Sequence, residues 1–570
     1  MNDKKLELTY TSLALSQIPR LLTLLDRNPS SPTYGCFDRR YWLDRVRDFP
    51  DALPQMGAYP LAFCYQYNFK NNIFFKQHLV KDWALAAILW LYKIQHKDGS
   101  FDEFYPNERG WAGPTAFVLY TTIRTLETLG EDIDKVLVPK IRDMVRKAAF
   151  YLAKYREIGT LANHYAIALL ALYKAKKWLK DSDLQPYIED LFNEISQLFF
   201  SEGWFLEYDG VDPGYLTATI SFLSRLWQEG FKKDEIFSML TKSIEFASYF
   251  IFPDGSYGGC IGSRGTQHFY PYGFELLSSK LQKATKVALF MRNSLKNGKG
   301  GITPDIMADR YFVYRLVEYL DTSLVANPCL KEDKEVNLPF QLKGIFEIFK
   351  EAGIVVKATD RYYFVCNFKK GGVFKLVEKM GVHTKSIVDA GINTVLKNGT
   401  LLTSQWIDKK YSFEIKQDNI FINGRLHKLQ KRLFTPFRFI LFRLFCLVIG
   451  IHPSFAKKAK GIFRKMLILR SPLSQTLFKR TIKLNDNEVE VKDEITLNGK
   501  EKPIKVFFGG TFNSRYVPQS RYFEPLDLYS MPISLDREKI KKLYLKRKCK
   551  VKRCFHFKED GKSFTFKVEI

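Results

Sequence analysis

A chain of 570 residues, 46% apolar and 26% charged, is globular rather than disordered and exceeds what one ordinary core holds, so two or more domains are expected. The formal net charge of +27 draws polyanions, whether nucleic acid, anionic lipid or acidic polysaccharide; no zinc-finger spacing, recognition-helix pattern or RNA-binding aromatic signature accompanies it, which argues against nucleic acid. Eight scattered cysteines lack metal-type pairing and read as free thiols, and residues 1–10 lack the apolar core of an export signal, so a cytoplasmic protein is expected.

Residues 6–26 carry an amphipathic helical pattern that ends at the turn-rich Asn28-Pro29-Ser30-Ser31-Pro32. Asp38-Arg39-Arg40-Tyr41-Trp42 follows, a polar aromatic cluster that suits either a cleft rim or a helix start capped by Asp38. A strong helix spans 77–95, and helical periodicity returns over 140–155, 184–199, 233–250 and 310–320. Between these segments four glycine-marked loops recur. They read Asp98-Gly99-Ser100-Phe101 before Trp111-Ala112-Gly113-Pro114, then Gly159-Thr160-Leu161-Ala162-Asn163-His164-Tyr165. The third is Glu202-Gly203-Trp204-Phe205 before Asp212-Pro213-Gly214-Tyr215, and the fourth Asp254-Gly255-Ser256-Tyr257 before His268-Phe269-Tyr270-Pro271-Tyr272. Gly99, Gly203 and Gly255 lie 104 and 52 residues apart, so the unit is about 50 residues, the length of a helical hairpin. Each loop opens a run apolar almost all round, such as 166–173 or 216–227, while the intervening 140–155 carries Lys and Arg on one face. The pattern predicts a closed ring of helical hairpins, an (α/α) toroid over residues 1–328, whose inner helices begin around a common mouth.

After Pro328 the texture changes to short alternating runs with Gly and Asn turns, at 362–368, 373–378, 400–406, 411–415, 419–422, 481–484, 489–497 and 505–508, with a closing hairpin at 558–561. Period two with close turns predicts an antiparallel β-sandwich over 345–570, giving an α+β chain of at least two domains. One insertion, 425–470, breaks it. It holds twelve Lys or Arg and no acidic residue, around the apolar core Phe437-Arg438-Phe439-Ile440-Leu441-Phe442-Arg443-Leu444-Phe445-Cys446-Leu447-Val448-Ile449-Gly450-Ile451. Interrupted by Arg443, the core is short of the roughly 20 apolar residues of a membrane span. Two readings stay open: a helix lying in the interface of an anionic membrane, or a helical insertion packed on the protein's own sheet.

Helix starts carry unpaired N–H groups and partial positive charge, so a ring of them favours an anionic ligand. The residues placed there are Trp111, Asn163, His164, Tyr215, Arg264, His268, Tyr270 and Tyr272. They are the types that β-elimination of a uronic-acid polymer needs: a group that neutralises the sugar carboxylate, a base for the C5 proton and an acid for the leaving oxygen. A His-Tyr pair also occurs in ordinary cores, and Asn163 would serve as a helix cap; recurrence at one structural point in successive repeats favours function. No Gly-x-Ser-x-Gly elbow or phosphate loop is present, and Gly298-Lys299-Gly300-Gly301 is too ordinary to count. A glycoside hydrolase would use a carboxylate pair, for which Asp209 and Asp212 are the obvious candidates, too close in sequence to span a glycosidic bond.

Asn163-His164-Tyr165, followed by Glu207-Tyr208-Asp209-Gly210-Val211-Asp212-Pro213-Gly214-Tyr215, resembles the toroid half of the heparinase II/III-like polysaccharide lyases. Gly371-Gly372-Val373-Phe374, His383, Asp389-Ala390-Gly391 and Lys397-Asn398-Gly399 are similar to their sheet-domain signature. The resemblance implies Asn163 as carboxylate neutraliser, Tyr215 as the proton-transferring phenol and His383 as the histidine lent by the sheet domain. His164 is a neighbouring candidate for acid/base work, and Trp111, Arg264, His268, Tyr270 and Tyr272 are assigned to substrate binding by position. The family's His-x-His-x-Asp-Ala-Gly cluster is replaced by a histidine five residues ahead of Val388-Asp389-Ala390-Gly391, which weakens the case for the structural zinc of some members without closing it, and no other cofactor is expected. Most characterised members are exported, whereas no signal is read here. The expectation is a lyase acting on an acidic polysaccharide or lipid-linked oligosaccharide near the inner face of a membrane. The alternative is a non-catalytic or biosynthetic membrane-associated glycan-binding protein of the same fold.

Overall fold

The computed structural model describes residues 8–109, 111–155, 159–331, 335–379, 385–429, 434–464, 471–512, 514, 530, 532–557 and 564–569. Two short helices, Leu8–Leu15 and Ile18–Leu24, stand where a single one over 6–26 was expected, because Pro19 in the first turn of the second has no N–H to continue the first. Asp38 precedes the one-turn helix Arg39–Trp42 without capping it; its carboxylate instead accepts the Asp51 N–H at 2.9 Å and pairs with Arg47 at 3.1 Å.

Six inner helices, Ala58–Gln66, Ala112–Leu129, Ala162–Leu179, Pro213–Gln228, Tyr272–Leu277 and Phe312–Ser323, each pack on the next, and the last returns to the first. The expected toroid is therefore a closed ring. Outside it lie His78–Ile94, Val138–Lys154, Gln185–Gln197, Lys233–Ser248 and Gln282–Lys296. The two layers differ as the sequence pattern requires: Ala112–Leu129 buries all but Arg124 and Glu127, whereas Val138–Lys154 buries one stripe including Ile141, Met144, Val145, Ala148 and Leu152.

The glycine loops have a common physical cause. Gly99, Gly203 and Gly255 take φ of 92°, 97° and 84°, and a Cβ on each would fall 2.2–2.4 Å from the carbonyl oxygen of Lys147, Lys242 or Lys299, at or just beyond an outer helix. Only a residue without a side chain lets the loop lie against that backbone. Gly35, with φ of 90° and the same approach to Ala86, is a further member that the spacing did not reveal.

The interior of the ring is polar. Asp321 accepts from Tyr59 Oη at 2.5 Å, Tyr120 Oη at 2.7 Å, Arg124 Nη2 at 2.9 Å and Arg225 Nη2 at 3.2 Å. One turn earlier, Glu318 accepts from Arg225 Nη2 at 2.9 Å, Ser221 Oγ at 2.9 Å and the Tyr272 backbone N–H at 3.1 Å. Four of the other five inner helices thus meet on two carboxylates of the last.

Residues 345–569 form two antiparallel sheets. The first is a five-strand meander, Ile345–Phe349, Ile354–Ala358, Tyr362–Asn367, Val373–Glu378 and Ser386–Asp389. The second has ten strands, with Asn419–Leu429, Leu473–Leu484, Glu488–Thr496 and Lys548–Phe557 at its centre. Ile354, Val356, Tyr363 and Val365 of the meander join the core of the ring, while Val355, Tyr362, Phe364 and Phe374 join the core of the ten-stranded sheet. The first sheet is therefore buried on both faces, a middle layer between ring and second sheet. The residues between the closing strands, 558–563, lie outside the described residues.

The basic insertion forms two helices, Pro436–Val448 and Pro453–Arg464. Its contacts run to the ring: Asn107 Nδ2 donates to the Cys446 carbonyl at 3.1 Å, Phe442 lies edge-on to Tyr105, Arg443 pairs with Asp48 at 3.1 Å and Lys460 pairs with Glu108. No helix among the described residues is long and apolar enough to cross a membrane.

Arg124 and Arg225 would lose their shared partner in Asp321→Asn. We expect that variant to lose about 3–5 kcal/mol of stability at neutral pH, as for a broken buried pair. Against the opposing effect of burial, the two arginines and the two phenols hold the Asp321 carboxyl well below its usual range. Its contribution is therefore present above about pH 3.8 and lost as pH falls from there. Urea unfolding at pH 7 and at about pH 2.5 checks both points; an unchanged midpoint in the variant at pH 7 would show that the network does not hold the ring.

Candidate active site

The second and third loops are joined by an isolated antiparallel bridge between Leu161 and Glu207, and the Tyr208 N–H donates to the Thr160 carbonyl at 2.7 Å. This pairing sets Asn163 beside Glu207. Asn163 is in the first turn of Ala162–Leu179, not at its cap, and is 2% exposed; its Nδ2 donates to Glu207 Oε1 at 2.6 Å and its backbone N–H to Oε2 at 3.1 Å. One amide hydrogen and the amide oxygen of Asn163 remain beyond that bond.

His164 is half-buried, edge-on to Trp111 and Phe117 with ring centroids 5.6 and 6.3 Å away. Gly113 makes the room, since a Cβ there would come 2.6 Å from His164 Cε1. Trp111 donates Nε1–H to Glu103 Oε2 at 3.0 Å, and Lys460 of the insertion stands 3.8 Å over its ring. Glu108 is paired with Lys460 and Glu103 with Arg310, so these rim carboxylates present little free negative charge to an anionic ligand.

Tyr215 opens Pro213–Gln228, buried, with its ring 6.4 Å from that of Tyr208. Burial, with Tyr208, Asp212, Glu207 and Tyr270 near by, holds its phenol well above the ordinary range, so it carries its proton at neutral pH. The Arg264 guanidinium lies 4.1 Å over the Tyr208 ring. Arg264 is fixed through its backbone, whose N–H donates to Asp212 Oδ2 at 2.9 Å; Asp212 also accepts from Thr266 Oγ1 and the Tyr215 N–H. Asp212 is therefore spent on the loop and the helix start, although burial raises its carboxyl.

His268 and Tyr270 follow on the fourth loop. Their rings are edge-on at 6.3 Å, and Arg315 lies 4.0 Å over Tyr270. Burial, then Arg315, pushes His268 well below the usual histidine range. A run of edge contacts from His164 through Phe117 and Phe222 to Tyr270 joins this group to the second loop. Tyr272 points into the ring network: its hydroxyl donates to Gln228 Oε1 at 2.5 Å and Arg225 lies 3.7 Å over its ring. His383 lies outside the described residues.

The sheet domain reaches this group by other residues. Lys370 Nζ donates to the carbonyls of Cys260 at 2.8 Å and Gly262 at 2.6 Å, and Asn367 Nδ2 to that of Ile261 at 2.8 Å, holding the loop that bears Arg264 from behind. The Ile407 side chain closes on Gly210. Glu207, Tyr208, Asn367 and Lys370 were not singled out from the sequence. Glu207 and Tyr208 lie in the quoted resemblance motif, but Lys370 carries no signal beyond preceding Gly371-Gly372.

Asp389 of the sheet signature is no open metal ligand. It accepts from Arg480 at 3.0 Å and Arg553 at 2.5 Å, and both arginines also bind Asp493, a buried quartet of alternating charge. Among the described residues, Glu488, Cys554 and His556 bring metal-type ligand atoms within 4.8 Å of one another, on adjoining strands of the ten-stranded sheet, with His556 paired to Glu488 at 2.9 Å. A cavity of about 570 Å³ beside Thr241, Tyr249 and Phe349 is lined by none of the candidate residues.

Residues 58–273, which carry four of the inner helices and all four of the glycine-marked loops read from the sequence, match the family model of the Ulvan lyase N-terminal domain. The match covers 216 of the 570 residues, all of them in the ring. None of the curated proteins matches the chain. Among solved structures it is similar to the Streptomyces coelicolor A3 chondroitin AC lyase in complex with chondroitin sulphate. That likeness is at 12% identity with a TM-score of 0.49, over 88% of this chain and 67% of that one. Heparan sulfate lyase HepC from Pedobacter heparinus is similar at 11% identity with a TM-score of 0.36, over 88% of this chain and 71% of that one.

The depressed His268 titration gives a directional test. Unfolded chain takes up a proton at about pH 6.5 that the folded state refuses, so stability is full above that pH and falls as pH drops below it. The drop in denaturation midpoint between pH 7.5 and 5.5 is expected to be smaller in His268→Gln than in the parent. An equal drop in both would contradict the neutral, buried state of this imidazole.

Proposed function

We propose that the protein cleaves an acidic, uronate-containing glycan by β-elimination at a membrane surface. The observation that carries this reading is the setting of Asn163, His164, Tyr215 and Arg264 on successive loops of one closed ring, with the Tyr215 phenol buried at the start of its helix. The Asn163 amide, oriented by Glu207, and the Arg264 guanidinium would neutralise the sugar carboxylate, making the C5 proton acidic. His164 would take that proton. The C5–H electrons then form the C4–C5 double bond, the bond from C4 to the glycosidic oxygen breaks, and the Tyr215 phenol supplies the proton that the leaving oxygen needs. Neutralising donors held in a buried site act without solvent reorganisation, which is why their fixed placement matters more than their number.

The membrane part of the reading is supported by the basic, apolar insertion beside Trp111, and in that setting the substrate is an acidic polysaccharide or a lipid-linked oligosaccharide. Eight free thiols are consistent with a cytoplasmic protein bound to an inner membrane face. No cofactor enters the scheme.

The test is incubation with ulvan, chondroitin sulfate, heparan sulfate and other uronate polymers while following the ultraviolet absorbance of the unsaturated uronate product. Tyr215→Phe and Asn163→Ala are each expected to lower turnover about 10²–10⁴-fold. No unsaturated product from any uronate polymer, or a Tyr215→Phe enzyme at the parental rate, would sink the proposal.

A further inference from the structure

The helix Pro436–Val448 is apolar on nearly every face, yet it is only shallowly docked. Cys446 is its one buried residue, and Phe442, Arg443 and Phe445 are half-buried, so its inward stripe is a single turn wide. Phe437, Ile440, Leu444 and Val448 are 53–70% exposed, and Phe455 and Ile462 of the following helix 57–58%. A helix apolar all round belongs in a core or in lipid, and an exposed apolar area this continuous is unusual for a surface that faces only water. At 13 residues the helix is about 20 Å long, short of the roughly 30 Å hydrocarbon layer, which suits lying in the interface rather than crossing it.

Charge identifies the occupant. The stretch 425–470 has twelve cations and no anion, and of its described cations Arg425, Arg438 and Lys458 are exposed. Apolar side chains flanked by the exposed cations Arg438 and Lys458 match anionic headgroups over acyl chains. A second protein copy would bring the same positive charge against itself. The ring continues this character where the insertion docks: Asp48, the partner of Arg443, follows a segment with exposed Leu43, Val46, Arg39 and Arg40. The insertion is also tied to the candidate site, because Lys460 pairs with Glu108 and covers Trp111.

We infer that the 434–464 helical pair and the adjoining 39–48 segment form one surface that seats the protein on an anionic bilayer, holding the mouth of the ring at the lipid so that the glycan it receives is anchored in that bilayer. The last clause rests on the lyase reading above; the seating on lipid does not. A soluble polymer would gain nothing from such a mounting. A lipid-anchored glycan gains an effective concentration at the mouth that free substrate lacks.

Sedimentation with vesicles tests the surface. Vesicles of phosphatidylglycerol and phosphatidylcholine are expected to carry the protein down at low salt, and pure phosphatidylcholine vesicles to carry at least ten-fold less. The double variant Phe437→Asp with Val448→Asp changes two exposed positions, so its melting temperature should stay parental while vesicle binding drops at least ten-fold. Tyr215→Phe should bind vesicles as the parent does. Equal sedimentation of parent and double variant, or self-association through these residues in place of vesicle binding, would overturn the surface. For the substrate, an acidic glycan coupled to lipid in the vesicles is compared with the same glycan free. The coupled form is expected to turn over at least ten-fold faster in the parent and to lose that advantage in the double variant. Equal rates would overturn the anchored-substrate clause. Vesicle binding with no turnover of either form would overturn the lyase reading and that clause while leaving the seating on lipid in place.

Discussion

Two carboxylates on one inner helix, Glu318 and Asp321, are what the ring depends on. A toroid of six helices leaves an axis that apolar side chains from short helices do not fill, and here Arg124, Arg225, Tyr59, Tyr120 and Ser221 converge on it instead. Buried charges of this kind are costly unless each is fully paired, so the arrangement tolerates little displacement of any contributing helix. Tyr272 is drawn into the same network through its backbone and ring. The consequence for function is positional: the network fixes where the inner helices lie, and the residues proposed for chemistry stand at or just before their first turns.

The mouth is assembled from both parts of the chain. Glycine loops let consecutive hairpins lie against one another, the Leu161 to Glu207 bridge brings Asn163 to its carboxylate, and Asp212 ties the start of Pro213–Gln228 to the Arg264 loop. From the other side Lys370 and Asn367 clamp the carbonyls of that loop. The meander sheet, buried on both faces, has no freedom to move away from the ring without exposing one of its two cores. The candidate residues and the insertion beside Trp111 are thus held in place by packed elements.

The resemblance motifs divide in an instructive way. Asn163-His164 and Tyr215 sit where the pattern of loops and helices puts them. Asp389 shares the family's sequence neighbourhood, yet it is occupied by Arg480 and Arg553, residues more than 90 positions away that no local reading pairs with it. The insertion reads from sequence as either lipid-facing or packed on the protein's own sheet; the surface its helices pack on is the ring rather than the sheet, through Asn107, Tyr105 and Asp48.

Taken alone, the amino-acid order determined those features that depend on local periodicity and on residue type. These are the alternation of inner and outer helices, the glycine loops, the change to period-two strands after Pro328 and the charge of 425–470. Each follows from side-chain spacing along one element, which is a property of the chain. Tertiary structure decided what depends on partners distant in sequence: the closure of the ring on Asp321, the carboxylate that holds Asn163, the burial that raises the Tyr215 phenol and the lysine that clamps the Arg264 loop. Hydrogen bonds and desolvation act through space, and no spacing along the chain encodes them until the ring and the sheet have closed on one another.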